Sequence, residues 1–226
     1  MRLVAALVAA ALACSAMPAD AGWYIGGEAG WTDLADQPAK ATIPVIGPRN
    51  DREIWSGGYN LGIRGGYAWG PWRVEEEFRY QGNNAQKFSG AAATGSAVAY
   101  AVMTNVLYDL PMHWLPLHWP VTPHVGAGIG AVELSESIKT AGFSSGVVTG
   151  DDLTFGYQAI GGLSYAISPA LRLDLDYRYV ATMTPHFRTP PGFVDSGHPA
   201  GNLPVGSGYS THSVVLSLIY RFGAAP

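Results

Sequence analysis

The sequence predicts an all-β protein, an eight-stranded antiparallel up-and-down transmembrane β-barrel, on the strength of three observations. Apolar and polar residues alternate at period two in eight segments, whereas helical periodicity is scarce. Charged residues are 13% of the 226 residues, against about 25% in an average globular domain, while aromatic residues reach 12%. The connections between the eight segments alternate short and long. This composition excludes a disordered chain, and a net charge of −4 gives no basic footprint for nucleic acid.

The N-terminal 21 residues have the pattern of a secretory signal peptide. Arg2 precedes an apolar stretch over residues 3–17, and Ala19-Asp20-Ala21 is a small-x-small cleavage pattern. Cleavage after Ala21 removes the single cysteine, Cys14; a lipoprotein signal with an acylated Cys14 is the alternative. We therefore expect a signal peptide at 1–21, a barrel domain at 22–223, and a tail or the start of a linker at 224–226.

Residues 171–181 show the alternation most clearly. One face is mostly apolar and carries Leu171, Leu173, Leu175, Tyr177, Tyr179 and Ala181. The opposite face is charged and carries Arg172, Asp174, Asp176 and Arg178. This arrangement is typical of a strand with lipid on one side and a polar lumen on the other.

The other seven predicted strands cover residues 23–31, 55–69, 72–81, 96–110, 122–134, 153–167 and 213–222. Each has about the ten residues that a tilted strand needs to cross the hydrocarbon, and closure into a barrel satisfies every backbone group there. Glu76 interrupts the apolar face of 72–81. We expect a bulge, a protonated carboxyl or an interfacial position at this residue.

The connections indicate which end of the barrel lies outside the cell. Short links lie at 70–71, 110–121 and 168–170, and long polar stretches at 35–53, 82–95, 135–151 and 183–207. Membrane barrels have short periplasmic turns and longer outer loops, which assigns the long stretches to the outside. The last stretch is rich in Pro and Gly, and we expect it to be exposed and mobile, with few apolar residues to anchor it.

The faces opposite the apolar rows predict a charged lumen. It should contain Glu28, Arg64, Arg73, Glu75, Glu77, Arg79, Asp109, Arg172, Asp174, Asp176, Arg178 and Arg221. Eight strands leave an interior that side chains about fill, and buried charges must pair. We expect a packed ion-pair plug, with a narrow gated water path as the alternative.

The sequence predicts no catalytic, cofactor-binding or metal site. His113, His118, His124, His186 and His198 are expected to be solvated loop residues, because their spacing does not suit a metal. Ser210 and His212 share the outward face near the rim and form a candidate for a lipid-modifying hydrolase, although the sequence places no acidic residue beside them.

A formal match to a dinucleotide fingerprint lies at Gly126-x-Gly128-x-x-Ala131. It lies inside a strand with no helix after it, so small residues that accommodate the lumen are the better interpretation.

Four short motifs, in the same order along the chain, carry a family resemblance. They are Trp23-Tyr24-Ile25-Gly26-Gly27 through Gly30-Trp31, Asn105 with Tyr108-Asp109, Tyr165-Ala166-Ile167-Ser168-Pro169 leading to Asp176-Tyr177, and Tyr220-Arg221-Phe222-Gly223. Over roughly residues 22–223 the chain resembles the outer membrane protein A (OmpA-like) transmembrane-domain family. The resemblance implies an eight-stranded barrel in a Gram-negative outer membrane, with Tyr220 and Phe222 as the assembly signal of the last strand.

The expected role is structural, supporting envelope integrity and surface contact, with a narrow gated pore as a secondary function. The expected partners are outer-membrane lipids and lipopolysaccharide, the barrel-assembly machinery, and surface ligands bound by the outer loops, but no nucleic acid and no cofactor. A soluble lipocalin-like ligand-binding barrel is the alternative, and its interior would be apolar. The charged row of residues 172–178 argues against it.

Overall fold

The computed structural model describes residues 21–43, 47–88, 90–111, 121–140, 148–192, 194–195 and 198–223. The predicted signal peptide up to residue 20, the predicted tail, and His113 and His118 lie outside these residues. No helix in the described ranges is long and apolar enough to cross a membrane. The described residues form fourteen strands: β1 (Gly22–Leu34), β2 (Gln37–Ile43), β3 (Gly47–Trp55), β4 (Gly58–Trp69), β5 (Trp72–Phe88), β6 (Ala91–Asp109), β7 (Val121–Thr140), β8 (Val148–Ala166), β9 (Leu171–Thr182), β10 (His186–Arg188), β11 (Val194–Asp195), β12 (His198–Pro199), β13 (Pro204–Ser207) and β14 (Ser210–Arg221).

Eight long strands close into an antiparallel ring in the order β1, β4, β5, β6, β7, β8, β9 and β14. The ring closes between β14 and β1, where Tyr24 pairs with Arg221 and Leu34 with Thr211. Closure matters because lipid cannot hydrogen-bond a free strand edge. The prediction of an eight-stranded antiparallel barrel is therefore confirmed.

The short connections join β4 to β5 and β8 to β9. Gly70, in the first of them, adopts a φ of +52°, a backbone conformation that residues with a side chain rarely adopt. In the second, Ile167 donates its amide hydrogen to the carbonyl of Leu171 at 2.9 Å and closes the turn. Both turns lie at the same end of the barrel, which we call the short-turn end.

Two aromatic belts mark the limits of the membrane on the outer surface. The belt at the short-turn end contains Trp23, Tyr67, Trp69, Trp72, Tyr108, Tyr165 and Tyr220; the other contains Trp31, Tyr59, Tyr80, Tyr100 and Tyr157. Eight residues separate Trp23 from Trp31. At about 3.3 Å a residue and a tilt of about 40°, the belts are roughly 20 Å apart, near the ~25 Å apolar band of outer-membrane barrels.

Beyond the second belt, the apolar side chains move from the outer face of the strands to the inner face. In β7 the outward residues in the membrane are Val125 and Ile129, whereas beyond it Leu134 and Ile138 are buried inside and Ser135 is exposed. A strand that leaves lipid for water must exchange its apolar face in this way, since the outside is then polar.

This exchange explains two wrong boundaries. The stretches 82–95 and 135–151 were predicted as long connections, but β5 runs to Phe88 and β6 begins at Ala91, while β7 runs to Thr140 and β8 begins at Val148. The alternation loses its expected phase beyond the membrane, so the pattern does not identify the strand there. Residue 55, predicted in the second strand, instead ends β3, and its tryptophan is buried.

The outer ends of β5, β6, β7 and β8 combine with β3, β2, β13 and β10 into a second closed ring, which we call the outer ring. β3 joins β5 at Glu53 and Phe88, and a single bridge between Arg188 and Thr149 joins β10 to β8. The wall of the barrel thus continues outside the membrane.

The connection at 183–207 is anchored by apolar residues, contrary to expectation. Phe187, Ala200 and Val205 are buried, and Leu203 packs against them. These side chains point into the outer ring, where they help to fill its interior. Pro and Gly dominate the composition of this stretch and obscure the few residues that anchor it.

The interior has two chemically different halves. Charged residues fill the half toward the short-turn end, and we call this half the inner network. An apolar group that we call the outer cluster fills the half toward the outer ring; it consists of Leu34, Trp55, Ala93, Ala97, Ala99, Ala101, Met103, Val132, Leu134, Ile138, Phe187, Ala200, Val205 and Tyr209.

Candidate functional site

The charged interior is the candidate functional site, and four strands of the membrane ring, β1, β4, β5 and β9, bring buried charged residues of the predicted set to it. Of the twelve predicted luminal residues, nine are buried: Glu28, Arg64, Arg73, Glu75, Glu77, Arg79, Asp174, Asp176 and Arg178. The remaining three, Asp109, Arg172 and Arg221, are partly exposed at the short-turn end. The set contains six arginines and six carboxylates, so its formal charges cancel.

Arg178 is the centre of the inner network. Its Nη1 lies 2.8 Å from Glu77 Oε1, and its Nη2 lies 2.9 Å from both Glu28 Oε2 and Asp176 Oδ2. β5 and β9 lie on opposite walls of the ring, so the contact with Glu77 crosses the lumen. One guanidinium therefore joins carboxylates from three strands, using the fork geometry that arginine offers.

Two further arginines extend the network toward the short-turn end. Arg64 Nη1 lies 3.3 Å from both Glu75 Oε2 and Asp176 Oδ2. Arg73 Nη2 lies 2.7 Å from Asp109 Oδ1, and its Nη1 lies 3.0 Å from Asp174 Oδ2 on the opposite wall.

The edges of the network involve two other pairs. Arg79 Nη1 lies 2.9 Å from Glu77 Oε1, and Arg172 Nε lies 2.9 Å from Asp174 Oδ1. The Arg172 side chain is 25% exposed, whereas that of Arg79 is buried. The ion pairs thus form one continuous lattice across the lumen.

Neutral side chains that sequence reasoning missed complete this lattice. Asn105 donates to Glu77 Oε2 at 2.9 Å, Gln158 donates to the same oxygen at 3.1 Å, and the Tyr24 hydroxyl donates to Glu75 Oε1 at 2.7 Å. Each lies at an inward position of its strand, so the period-two register, followed strictly, could have identified them.

His124 was expected to be a solvated loop residue, and this expectation is wrong. It is buried in β7, with Nε2 2.8 Å from Asp176 Oδ1 and Nδ1 3.1 Å from the Ser164 hydroxyl. Gly162 makes the room: a Cβ at this position would collide with Asp176 and with His124 Nε2. The expectation rested on the closeness of His124 to the predicted connection at 110–121, but β7 begins at Val121, three residues before it.

The inner network does not suit a metal ion. His124, Asp174 and Asp176 place potential ligand atoms within 4.8 Å of one another. Both carboxylates, however, are already ion-paired with arginines, and both ring nitrogens of His124 are engaged. A cation would have to displace guanidinium groups that neutralise the same oxygens.

The candidate hydrolase pair lies on the outside of the barrel, near the second aromatic belt. Nδ1 of the half-buried His212 is 2.6 Å from the Tyr177 hydroxyl, so tyrosine occupies the position where a catalytic triad would have a carboxylate. Sequence reasoning missed Asp33, which lies opposite His212 in the ladder between β1 and β14. Only the pairing of β1 with β14 brings Asp33 close to His212.

A second charged feature lies in the outer cluster, beyond the membrane. Glu53 and Glu136 are buried there, 1% and 6% exposed. Burial raises the pKa of Glu136 well above its ordinary value of 4.5, and the neighbouring Glu53 carboxyl raises it further through repulsion and a hydrogen bond. The proximity of the two carboxyls therefore disfavours the ionised form of Glu136.

The aromatic belts, the lipid-facing apolar surface and the enclosed charges define a class of protein, the Gram-negative outer-membrane β-barrels. The family model described as "Outer membrane protein beta-barrel domain" matches residues 4–222. The chain belongs to this family and resides in the outer membrane. The soluble lipocalin-like alternative is thereby set aside.

Two curated relatives illustrate the similarity. The chain is 32% identical to an "Outer membrane protein" of Gluconacetobacter diazotrophicus over 167 residues, which are 68% of this chain and 43% of the relative. It is 24% identical to "Outer membrane protein A" of Escherichia coli O157:H7 over 229 residues, 99% of this chain and 55% of the relative. The chain thus spans about half the length of these relatives.

Two solved structures share the fold. The outer membrane protein OprG from Pseudomonas aeruginosa superposes with a TM-score of 0.54 and 14% identity, covering 88% of this chain and 96% of OprG. The outer membrane protein AlkL superposes with a TM-score of 0.52 and 15% identity, covering 96% of this chain and 99% of AlkL. The predicted resemblance to outer-membrane barrels of the OmpA type is confirmed.

Proposed function

We propose that the protein is a closed membrane scaffold that supports the envelope and presents its outer ring for contact at the cell surface. The observation that carries this proposal is the ion-pair lattice, which links opposite walls of the lumen through Arg73 and Arg178. To open a water path, several buried ion pairs would have to separate at once, and each separated charge costs several kcal/mol.

Packing above the lattice supports the same proposal. A cavity above the lattice has a volume of about 10 Å³. It is lined by Arg79, Gln81, Ala99, Ala101, Val132, Val180 and Tyr209. This volume accommodates about one water molecule. Beyond it, the apolar outer cluster would exclude hydrated ions even if the lattice opened.

We also propose that the role is non-catalytic. The charged residues of the lumen neutralise one another rather than face a cleft, and His212 is engaged by Tyr177. The lumen is therefore a structural element, and the contacts with other molecules fall to the outer surface.

The proposed partners follow from that surface. Lipids and lipopolysaccharide would cover the apolar belt, and surface ligands would meet the outer ring. The outward-facing, exposed rings of Tyr220 and Phe222 are 5.2 Å apart at the end of the last strand, where the assembly machinery would recognise them. Because β1 begins at Gly22, cleavage of a signal peptide after Ala21 would leave the barrel intact.

Planar-bilayer recording tests the proposal. Purified, refolded protein whose folding is verified by heat-modifiable migration should show no conductance above that of the lipid alone. A porin of known conductance, reconstituted in the same lipid, is the positive control for the recording. Stepwise currents from the wild type, proportional to the amount of protein, would replace the scaffold proposal with the gated pore.

A further inference from the structure

A carboxylate lies in the middle of the lipid-facing surface. Glu76 is exposed on the outer face of β5, four residues from Trp72 in one belt and four from Tyr80 in the other. The ladder is regular at this point, where Glu76 pairs with Gly65 and Thr104; the register shift of β5 lies between Asn84 and Lys87. A bulge and an interfacial position, two of the three explanations expected from the sequence, are therefore wrong.

The surroundings of Glu76 are apolar. In the described part of the chain, no other acidic or basic residue faces outward between the two belts. Thr104 donates its hydroxyl to Glu76 Oε1 at 2.7 Å. Exposed Ile63, Phe78 and Val106 flank this pair.

Lipid alone is a poor environment for this group. A carboxyl at this depth is costly when ionised, and its second oxygen has no water to bond. Acyl chains cannot donate or accept a hydrogen bond, and lipid headgroups lie roughly 10 Å away at either interface. A partner with hydrogen-bonding groups at the centre of the membrane would remove this cost.

We propose that Glu76 is the centre of a dimer interface between two copies of this chain, related by a two-fold axis along the membrane normal. This axis places the two Glu76 carboxyls at the same depth, as an isologous interface requires. In protonated form each donates its O–H to the Oε1 of the other, and each Oε1 also accepts from its own Thr104. Every polar atom of the pair is then satisfied within the membrane.

The local shape allows the approach. Two face-packed sheets lie about 10 Å apart, which is near the span of two extended glutamic acid side chains joined at their carboxyls. Gly65, beside Glu76, has no side chain, and a Cβ there would have only the carbonyl of Tyr24 nearby, at 3.7 Å. The notch admits a side chain from the facing copy.

The self-complementarity of the carboxyl favours a second copy over a different partner. A protonated carboxyl is both donor and acceptor, so one residue serves both sides. A foreign membrane segment would need its own polar group at this depth. Capture of such a partner instead of a second copy is one outcome of the test and would overturn the proposal.

Crosslinking in lipid vesicles tests the interface with Glu76 intact. Phe78→Cys lies two residues from Glu76 on the same face, and a short bifunctional thiol reagent should convert it to a covalent dimer. Leu175→Cys is the matched control, because it faces lipid at mid-membrane on the opposite wall. Equal crosslinking at both positions, or none at Phe78→Cys, contradicts the proposal.

Fluorescence energy transfer between labelled copies measures the role of the carboxyl. Glu76→Leu should weaken association about tenfold, the effect of one or two lost hydrogen bonds in a membrane. Glu76→Gln should stay closer to the wild type, because two carboxamides can also pair. Heat-modifiable migration verifies the folding of each variant. A monomeric wild type, or a Glu76→Leu variant that associates like the wild type, would overturn the proposal.

Discussion

Arg178 shows how single residues stabilise the interior of this barrel. It is completely buried and is in contact with Glu28, Glu77 and Asp176 at 2.8 to 2.9 Å. Burial of so many charges is tolerated because each finds opposite charges at hydrogen-bond distance. The free-energy cost of burying a charge therefore appears only when one partner of an ion pair is removed.

Replacement of Arg178 by Met keeps the volume but leaves three carboxylates without their shared partner. We expect a loss of about 3–5 kcal/mol in the free energy of unfolding, the usual effect of breaking a buried ion pair from one side. Urea unfolding in lipid vesicles measures this difference.

Arg172→Gln is the matched control for Arg178, since its side chain is 25% exposed and the water around it screens its contact with Asp174. We expect a loss of at most about 1 kcal/mol. Equal losses of unfolding free energy in Arg178→Met and Arg172→Gln would contradict the claim that a buried ion pair contributes more than a partly exposed one.

Glu136 predicts how the outer ring responds to pH. Because the pKa of Glu136 is raised in the folded state, the folded protein binds more protons than the unfolded chain above pH 4.5. Its contribution to stability is therefore fully present below pH 4.5 and is lost as the pH rises through the folded-state pKa. Glu136→Gln, which needs no proton, should reduce this dependence.

Unfolding midpoints in urea, compared between pH 4.5 and pH 8 for both proteins, measure the effect. The wild type should lose more stability than Glu136→Gln over this interval. If the unfolding midpoint changed by the same amount between pH 4.5 and pH 8 in both proteins, Glu136 would be ionised in the folded protein.

The residues of the candidate site were only partly predictable from the sequence. The twelve luminal charges follow from the two-residue period, because each occupies the face opposite an apolar row. His124 was assigned to the turn beside its strand, and Asp33 did not follow because its neighbour His212 comes from another strand. Local alternation defines a face, but only strand pairing defines which residues meet.

The apolar face of the strands moves from outside to inside where they leave the membrane. This change of phase concealed the outer ends of β5 to β8 from a search for one continuous pattern. Val132 and Leu134 already carry the new phase in β7. The position of the change therefore locates the outer limit of the membrane on each strand.

The connection between β9 and β14 is the element that covers the outer cluster. Replacement of residues 186–207 by a short Gly-Ser link would remove β10 and β13, and with them Phe187 and Val205. We expect the membrane ring to remain folded, since its own ladders are intact, and the exposed cluster to bind an apolar fluorescent dye.

Dye fluorescence and heat-modifiable migration, measured on the same samples, distinguish the outcomes. Increased dye binding with retained heat modifiability supports the division into two rings. Loss of the folded form would show that the membrane ring depends on the outer ring.

The whole molecule is a double ring with two kinds of interior. The membrane ring has lipid outside and paired charges inside, whereas the outer ring has water outside and apolar side chains inside. In each ring, the polarity of the inner face is opposite to that of the medium outside the wall. Composition and alternation predicted the membrane ring, but the outer ring depends on pairings between segments distant in the sequence.

Spin labels at outward positions of β7 test this arrangement most directly. Single cysteines replacing Val125, Ile129, Ser135 and Ser137 would be labelled in lipid vesicles, and their collisions with oxygen and with a water-soluble nickel complex measured. We expect oxygen-accessible labels at Val125 and Ile129 and nickel-accessible labels at Ser135 and Ser137. Nickel access at Val125 and Ile129 equal to that at Ser135 and Ser137 would contradict this arrangement.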